Sequence, residues 1–354
     1  MSSSIRMSEQ EVSGLCVRAL RAIGAAQQAA RYLTRSVLDA ERAGNRAVGL
    51  AHLFDYLDAY RDGRIVAGVI PEVTRPAPSC MLADARGGLA QEAFEAAADE
   101  LFTATRENGM AALWIRGAYT CGELGHYPRR AAERGFTAVA CANSPALMSL
   151  GGSGGPVLGT NPLAYAVPRP GGPPIVIDQA SSQTAYVNVR EKAAAGEPIP
   201  EGWAVGPDGG PTTDASAALA GALLPFGGHR GGNVALLAEL LATLGGGSFS
   251  LDAAPFDHGN DPPGIGVFLL CLDTGALTGE QGRAAAHLER LRAEHGVRLP
   301  ALERSAVAAE LEVDTELIRR LRAVAGGGDA WRLQASSAAD SARGGLSATR
   351  SASA

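Results

Sequence analysis

Apolar positions along this chain follow two periods. Near the start they recur at steps of three and four. Leu15, Val17, Leu20, Ile23, Ala26, Ala30 and Leu33 mark one face of a helical stretch over 9–42. A second helix is predicted over 47–61, stopped by Asp62-Gly63. The proline-broken run "VIPEVTRPAPSCMLADARGG" reads as extended chain. A helix is expected over 91–107, then a short buried strand, "AALWIRGA". "GHYPRRAAERG" reads as a helix with proline in its first turn and glycine at its end, and "FTAVACANS" as a strand. In the middle, "PLAYAV" and "PIVIDQ" fit strands bounded by proline and glycine. A helix that Asp214 caps comes next, then a buried helix, "NVALLAELLATLGGG", with Asn233 as its expected N-cap. "IGVFLLCLD" is a fully buried strand. Amphipathic surface helices are expected over 280–295 and 313–324. From Gly326 onward apolar mass is too sparse to offset the entropy of ordering, so a disordered tail is expected. There is no internal repeat.

Composition narrows the function classes. The chain has 354 residues and a formal charge of −6, and its arginines are scattered rather than striped, which argues against nucleic-acid binding. No apolar run reaches the roughly 18–20 residues that span a bilayer. The start, "MSSSIRMSEQEVSGL", lacks the parts of a secretory leader. A soluble cytoplasmic protein, off the membrane, is the expectation. The five cysteines lie far apart with no zinc spacing, so they read as free thiols and no metal is expected. There is no P-loop, HExxH or EF-hand loop.

Four stretches carry candidate chemistry. "GGSGGPVLG" is glycine-rich, but no amphipathic helix follows it, so it fails the dinucleotide fingerprint. "LLPFGGHRGGNVALLAE" bares backbone ahead of a helix and places His229 and Arg230 there, which suits an anion at a helix N-terminus. An exposed arginine in a glycine-rich loop is the plain alternative. "IVIDQASS" ends a buried strand on Asp178 next to Ser181 and Ser182, suited to a ribose diol or equally to capping a turn. "GTNP", with Thr160, Asn161 and Pro162, is a small polar turn open to either reading.

These stretches occur together and in order, with "VLDAERAG", "NSPALMSLGGSGGPVLGTNPLAYAVP" and "AAAGEPIPEGWAVGPDGGPTTD". Over roughly 12–324 the chain resembles the malate/L-lactate dehydrogenase type 2 family, which includes ureidoglycolate, sulfolactate and 2,3-diketogulonate reductases and piperideine/pyrroline-2-carboxylate reductases. The resemblance implies an α/β, non-Rossmann NAD(P)-binding fold with a central mixed sheet and a helical N-terminal region. It implies homodimers that share the cofactor site, and NADH or NADPH as hydride donor to a small 2-keto acid or cyclic imine. By position, Ile175, Val176, Ile177, Asp178, Gln179, Ala180 and Ser181 would line the nucleotide, with Thr160, Asn161 and Pro162 beside them. His229 and Arg230 would replace an aromatic–lysine pair that touches it. The expected division is a helical substrate or dimer region over 1–75, a cofactor-binding body over 76–325 whose last helices return to the N-terminal region, and a tail over 326–354.

The resemblance breaks at one place. Where the family usually reads Ser-His-Gly-x-x-Arg, this chain has Ala47, Val48 and His52 at the Ser, His and Arg positions. Where it reads Ser-Asn-His-x-Gly, the line is Ala118-Tyr119-Thr120-Cys121-Gly122. The histidine is the expected proton donor to the substrate, and the arginine the expected holder of its carboxylate. Valine donates nothing to a developing alkoxide. His52, one turn from position 48 on the same face, is a candidate replacement, and Tyr119, Thr120 and His126 are candidate further donors. Each has a plain structural alternative. Three functions stay open: an oxidoreductase with an altered substrate, such as an iminium carbon in specialised biosynthesis; a non-redox isomerase, cyclase or lyase; and a catalytically silent binding protein.

Overall fold

The structure is a computed structural model that describes residues 4–280, 282–299 and 310–327. The expected tail lies almost wholly outside the described residues. A five-residue strand, β1 (Ser4–Ser8), opens the chain and runs into α1 (Glu9–Ala22). Ser8 and Glu11 close a reciprocal capping box at that junction. The single helical stretch expected over 9–42 is two helices, because Gly24 at φ +99° breaks it before α2 (Gln27–Arg42). A one-turn 3-10 segment, Arg46–Val48, leads into α3 (Leu50–Arg61).

The entry to α3 fixes what that helix presents. No side chain at its own N-cap accepts from its first turn. Instead Glu41, reaching from α2, accepts the Leu50 N–H at 2.6 Å. Gly49 makes this contact possible, since a Cβ there would lie 2.8 Å from Glu41 Cδ.

The body is a seven-stranded sheet. In chain order its parts are β2 (Glu72–Ala77), β3 (Cys80–Asp84), α4 (Ala90–Asn108), β4 (Met110–Ala118), α5 (His126–Glu133), β5 (Thr137–Ala142), β6 (Leu163–Val167) and β7 (Ile175–Gln179). After β7 come α6 (Tyr186–Ala195), β8 (Ala204–Val205), β9 (Pro211–Thr212), α7 (Ala215–Ala220), β10 (Ala222–Leu223), α8 (His229–Thr243) and β11 (Ile265–Leu272). The strand order is β2-β3-β4-β11-β5-β6-β7, and β3–β4 is its one parallel pair. The sheet is therefore mixed, as expected, with a single parallel crossover in which β3, the Gly87-Gly88 turn and α4 lead into β4. Helices α4 and α5 share a core with it around Phe94, Leu101, Leu113, Tyr127 and Leu269. β8, β9 and β10 form a small second sheet.

The first strand pairs with the last described one. After α9 (Thr274–Thr278) and α10 (Arg283–His295), β12 (Glu310–Asp314) pairs antiparallel with β1, and α11 (Thr315–Ala325) packs into the helical core with Ile318, Leu321 and Val324. The helix expected over 313–324 thus begins later, because Val313 belongs to β12. Among the described residues, no helix is long and apolar enough to cross a membrane.

Candidate active site

A cleft of about 1430 Å³ runs between the helical region and the sheet. It exceeds the roughly 300–1,000 Å³ of ordinary small-molecule pockets. One wall comes from α2, α3 and the segment after β4, with Ala47, Val48, His52, Asp55 and Thr120 on its surface. The opposite wall is sheet: Thr160, Pro162 and the run Val176–Ala180. β7 ends the sheet, so its outer edge pairs with no other strand among the described residues. An open edge offers backbone N–H and C=O groups to whatever lies beside it.

His52 is half-buried, with 14% of its side chain exposed. Its Nδ1 lies 2.7 Å from Asp55 Oδ2, and its ring meets Tyr56 edge-on at 4.9 Å. Nε2 has no protein partner among the described residues. Burial raises the Asp55 carboxyl, but the His52 hydrogen bond and charge, with Arg190 and Arg64, more than offset this and hold it below the usual range. Arg190, from α6, brings Nη1 to 3.8 Å of Asp55 Oδ1.

Thr120 also faces the cleft, and its hydroxyl has a definite polarity. Gln91 Nε2 donates to the Cys121 carbonyl and to the Tyr56 hydroxyl oxygen, at 3.1 and 3.3 Å. The buried Tyr56 proton then has Thr120 Oγ1, 2.8 Å away, as its acceptor. Thr120 is left with its own proton to give.

Tyr119 and His126 do not line the cleft. The Tyr119 hydroxyl donates to the Phe256 carbonyl at 2.8 Å, and Arg64 donates to the same oxygen. Its side chain is enclosed and pins the 256 loop. His126 is enclosed too, with Nδ1 2.6 Å from Asp39 Oδ2. Its Nε2 is buried without a hydrogen-bond partner among the described residues. Their ring types suit proton transfer, which is why both are expected as donors, but the strand end and the first turn of α5 turn them inward.

An ionic network lines the cleft floor. Asp39 is reached by His126, Arg129 and Arg42, and Arg129 forks onto Glu123 with two 2.8 Å bonds. Burial would raise the Asp39 carboxyl, but the His126 bond and charge, then Arg129 and Arg42, hold it well below the usual range. Asp178 goes the other way. Burial pushes it up to about 7, and Glu123 adds to this against the Gly125 and Leu124 N–H groups and Arg129. Its Oδ2 accepts from Gly125 N at 2.8 Å, so it caps the start of α5 while also lining the cleft.

Of the expected nucleotide-lining residues, Thr160, Pro162, Val176, Ile177, Asp178, Gln179 and Ala180 line the cleft. Ile175, Asn161 and Ser181 do not. Asn161, at φ +30°, turns its amide onto the Ala235 carbonyl and Glu239, and Ser181 Oγ donates to the Asn161 carbonyl. These two lock the turn to α8. His229 and Arg230 are exposed on the first turn of α8 and lie outside the cleft of their own chain. That helix starts four residues before the expected Asn233 cap, with Gly228 at its N-cap. Sequence patterning passes over Asp55 and Arg190. Asp55 has a usable signal, since His52 and Asp55 are three apart on one helix; Arg190 comes from a distant helix and has none.

The malate/L-lactate dehydrogenase family matches residues 7–312 of this chain. A (2R)-3-sulfolactate dehydrogenase (NADP(+)) from Chromohalobacter salexigens is 37% identical over 92% of this chain and 99% of its own. A Δ1-pyrroline-2-carboxylate reductase from Ancylobacter novellus is 37% identical over 86% of this chain and 91% of its own. The solved structure of Δ1-piperideine-2-carboxylate reductase from Pseudomonas syringae pathovar tomato overlays with a TM-score of 0.84 at 32% identity, covering 90% of this chain and 99% of that one. The chain belongs to the malate/L-lactate dehydrogenase family of oxidoreductases.

Proposed function

We propose that this protein is an NAD(P)H-dependent reductase of a small cyclic imine, with His52 as the proton donor. The reading is carried by the cleft wall itself: at the position where the family's proton donor is expected stands Val48, and His52 faces the same cleft one helical turn on.

The residues present fit a nicotinamide dinucleotide. The open edge of β7 supplies main-chain donors and acceptors along Val176–Ala180, with Thr160 and Pro162 beside it. The arginines at the cleft, among them Arg31 and Arg35, supply positive charge toward phosphate. When bound, the reduced cofactor supplies a hydride to the imine carbon. The protein supplies the proton that balances it at nitrogen, from His52 Nε2 when the ring is charged, and Thr120 offers a second hydroxyl donor. The product is a neutral amine, which asks less of the donor than the alkoxide formed from a ketone. The wall at 47–48 offers no such oxyanion donor, which favours an imine over a 2-oxo acid. Free cysteines fit a reducing compartment. For the homodimer, α8 presents Leu236, Leu237 and Leu240 to solvent, with Leu244 at its C-cap, as an apolar face.

The test is consumption of NADPH and NADH with Δ1-piperideine-2-carboxylate and with pyruvate, in wild type and His52→Ala. Turnover of the imine, near-background pyruvate reduction, and a loss of about 10²–10⁴-fold in His52→Ala are expected. Normal turnover in His52→Ala overturns the assignment of the donor. Absence of a thermal shift with either reduced cofactor overturns the redox reading.

A further inference from the structure

Asp55 touches the two groups of the helical wall that bear on catalysis and recognition, one with each oxygen. Oδ2 takes His52 Nδ1 at 2.7 Å and Oδ1 lies 3.8 Å from Arg190 Nη1. The His52 geometry sets a tautomer. A carboxylate can only accept, so Nδ1 carries the proton and Nε2 is the atom left to the cleft. A ring held this way gains and loses its mobile proton at Nε2, where a substrate nitrogen would be. Arg190 is committed to Asp55 through one nitrogen at long range, 46% of its side chain is exposed, and it lines the cleft. The rest of its planar fork is free to take a carboxylate edge-on. Meanwhile the arginine expected at position 52 for that task is absent.

We propose that Asp55 is a positioning residue with two arms, holding His52 in the Nδ1–H tautomer and setting Arg190 beside it as the anchor for a substrate carboxylate. This rests on the reading of His52 as proton donor and deepens it: the substrate class becomes a cyclic imine bearing a carboxylate next to the C=N carbon. The carboxylate lies on Arg190, so the imine nitrogen of the same planar ligand meets Nε2. Hydride reaches the adjacent carbon, the C=N π pair becomes the N–H bond with the proton from Nε2–H, and neutral imidazole remains. Asp55 stays ionised throughout, consistent with its depressed carboxyl. The other charged or titratable groups facing this set are Arg64, Arg320, Asp58 and Tyr119 around Asp55, Tyr186 near Arg190, and Tyr56 under the imidazole. His52 Nδ1 donates its hydrogen bond to Asp55.

The tautomer is read by long-range 1H–15N NMR of the full chain at alkaline pH, with the His52 signal assigned by its loss in His52→Gln. The wild-type ring should be Nδ1–H, and Asp55→Ala should shift it toward Nε2–H. The kcat for Δ1-piperideine-2-carboxylate, measured at saturating imine and NADPH so that the Arg190 arm appears only in KM, should fall at least about tenfold in Asp55→Ala, with no further fall in kcat when the same change is made in a His52→Ala background. Arg190→Ala should raise KM for this imine by about tenfold or more, as expected for a lost charged hydrogen bond. It should leave KM nearly unmoved for 2-methyl-Δ1-piperideine, which lacks the carboxylate. An unchanged tautomer in a folded Asp55→Ala, or equal losses in both backgrounds, overturns the positioning role while the proton-donor reading stands. Equal KM effects on both imines, or a wild type inert toward the carboxylated one, overturn the Arg190 arm. Normal turnover in His52→Ala takes down both readings together.

Discussion

The two walls of the cleft are built by different rules. The sheet wall offers mainly backbone, placed by strand register: Leu163 opposite Gln179, Tyr165 opposite Ile177. The helical wall offers side chains, placed by a helix whose entry is set by one glycine and one glutamate from a neighbouring helix. A backbone surface tolerates sequence change without losing its function, provided the turns hold. A side-chain surface changes its chemistry with each substitution. The departures implied by the resemblance at positions 47, 48, 52, 120 and 121 lie on the helical wall, and those implied at 229 and 230 lie outside the cleft. Our proposal is that the scaffold retains its cofactor and changes what it does to a substrate.

The walls meet over the buried ion network, and Asp39 is its centre. Asp39→Ala leaves His126 without its partner and frees Arg42 and Arg129 from a shared carboxylate. Breaking a buried pair on one side costs about 3–5 kcal/mol, so chemical denaturation should show a fall of that size at pH 7. If the fall is under about 1 kcal/mol, the walls are held together elsewhere and the network is incidental.

Asp178 tests the sheet wall with the opposite sign. A carboxyl raised from 3.8 to about 7 in the fold favours folding at low pH. That contribution is complete below the unfolded value, wanes as pH rises, and is gone above about 7. A rise of that size corresponds to about 4 kcal/mol at most. Asp178→Asn keeps an acceptor for the Gly125 N–H and carries no charge. Its melting temperature should therefore exceed that of wild type at pH 8, with the gap closing as pH falls toward 4. A gap that does not vary with pH would mean that the Asp178 carboxyl is not strained by burial.

Much of this arrangement was legible in the sequence, and the exceptions have physical causes. The period of apolar residues located α4, β4 and β11 to within a residue or two, because each buries a continuous face or run. β1 was invisible: five mostly exposed residues whose partner, β12, lies some 300 positions on. The start of α8 was hidden because two of its first four residues are glycine, a poor helix former. Its glycines are there for packing, with Gly231 against the Phe226 backbone and Gly232 against Leu150. In the site, residue type alone over-read Tyr119 and His126, since a hydroxyl or imidazole serves a fold as readily as a reaction. His52 lines the cleft at the position that the resemblance gave it, and Asp55 beside it was passed over because a carboxylate on a helix surface is ordinary until its partner is named.

The turn at 159–161 sharpens the comparison from the backbone side. A Cβ at Gly159 would lie 2.5 Å from Asn161 Oδ1 and 2.6 Å from the Ser144 carbonyl oxygen. Gly159→Ala must move that turn, and overpacking of this kind costs about 1–3 kcal/mol. Cofactor affinity should weaken along with stability, because Thr160 and Pro162 line the cleft on the same turn. Lost stability with unchanged NADPH binding would show that the sheet wall is not where the cofactor rests.

The smallest expected effect is the most discriminating. Arg230 has the residue type and the helix N-terminus that anion recognition calls for, and it lies outside its own chain's cleft. If the cleft of one chain holds the cofactor unaided, Arg230→Ala changes a solvated side chain and stability moves within about 0.5 kcal/mol. The NADPH dissociation constant at fixed salt then stays within about twofold of wild type. A loss of about tenfold or more, the mark of a charged hydrogen bond, would contradict that expectation. Arg230 would then be reaching a cofactor that its own chain does not hold. Mixing Arg230→Ala subunits with subunits whose own cleft is disabled by Gly159→Ala would separate the cases, because a residue acting across subunits restores one full-affinity site in the mixed dimer. No restored site on mixing would instead mean that the first turn of α8 closes over its own cleft when the cofactor binds.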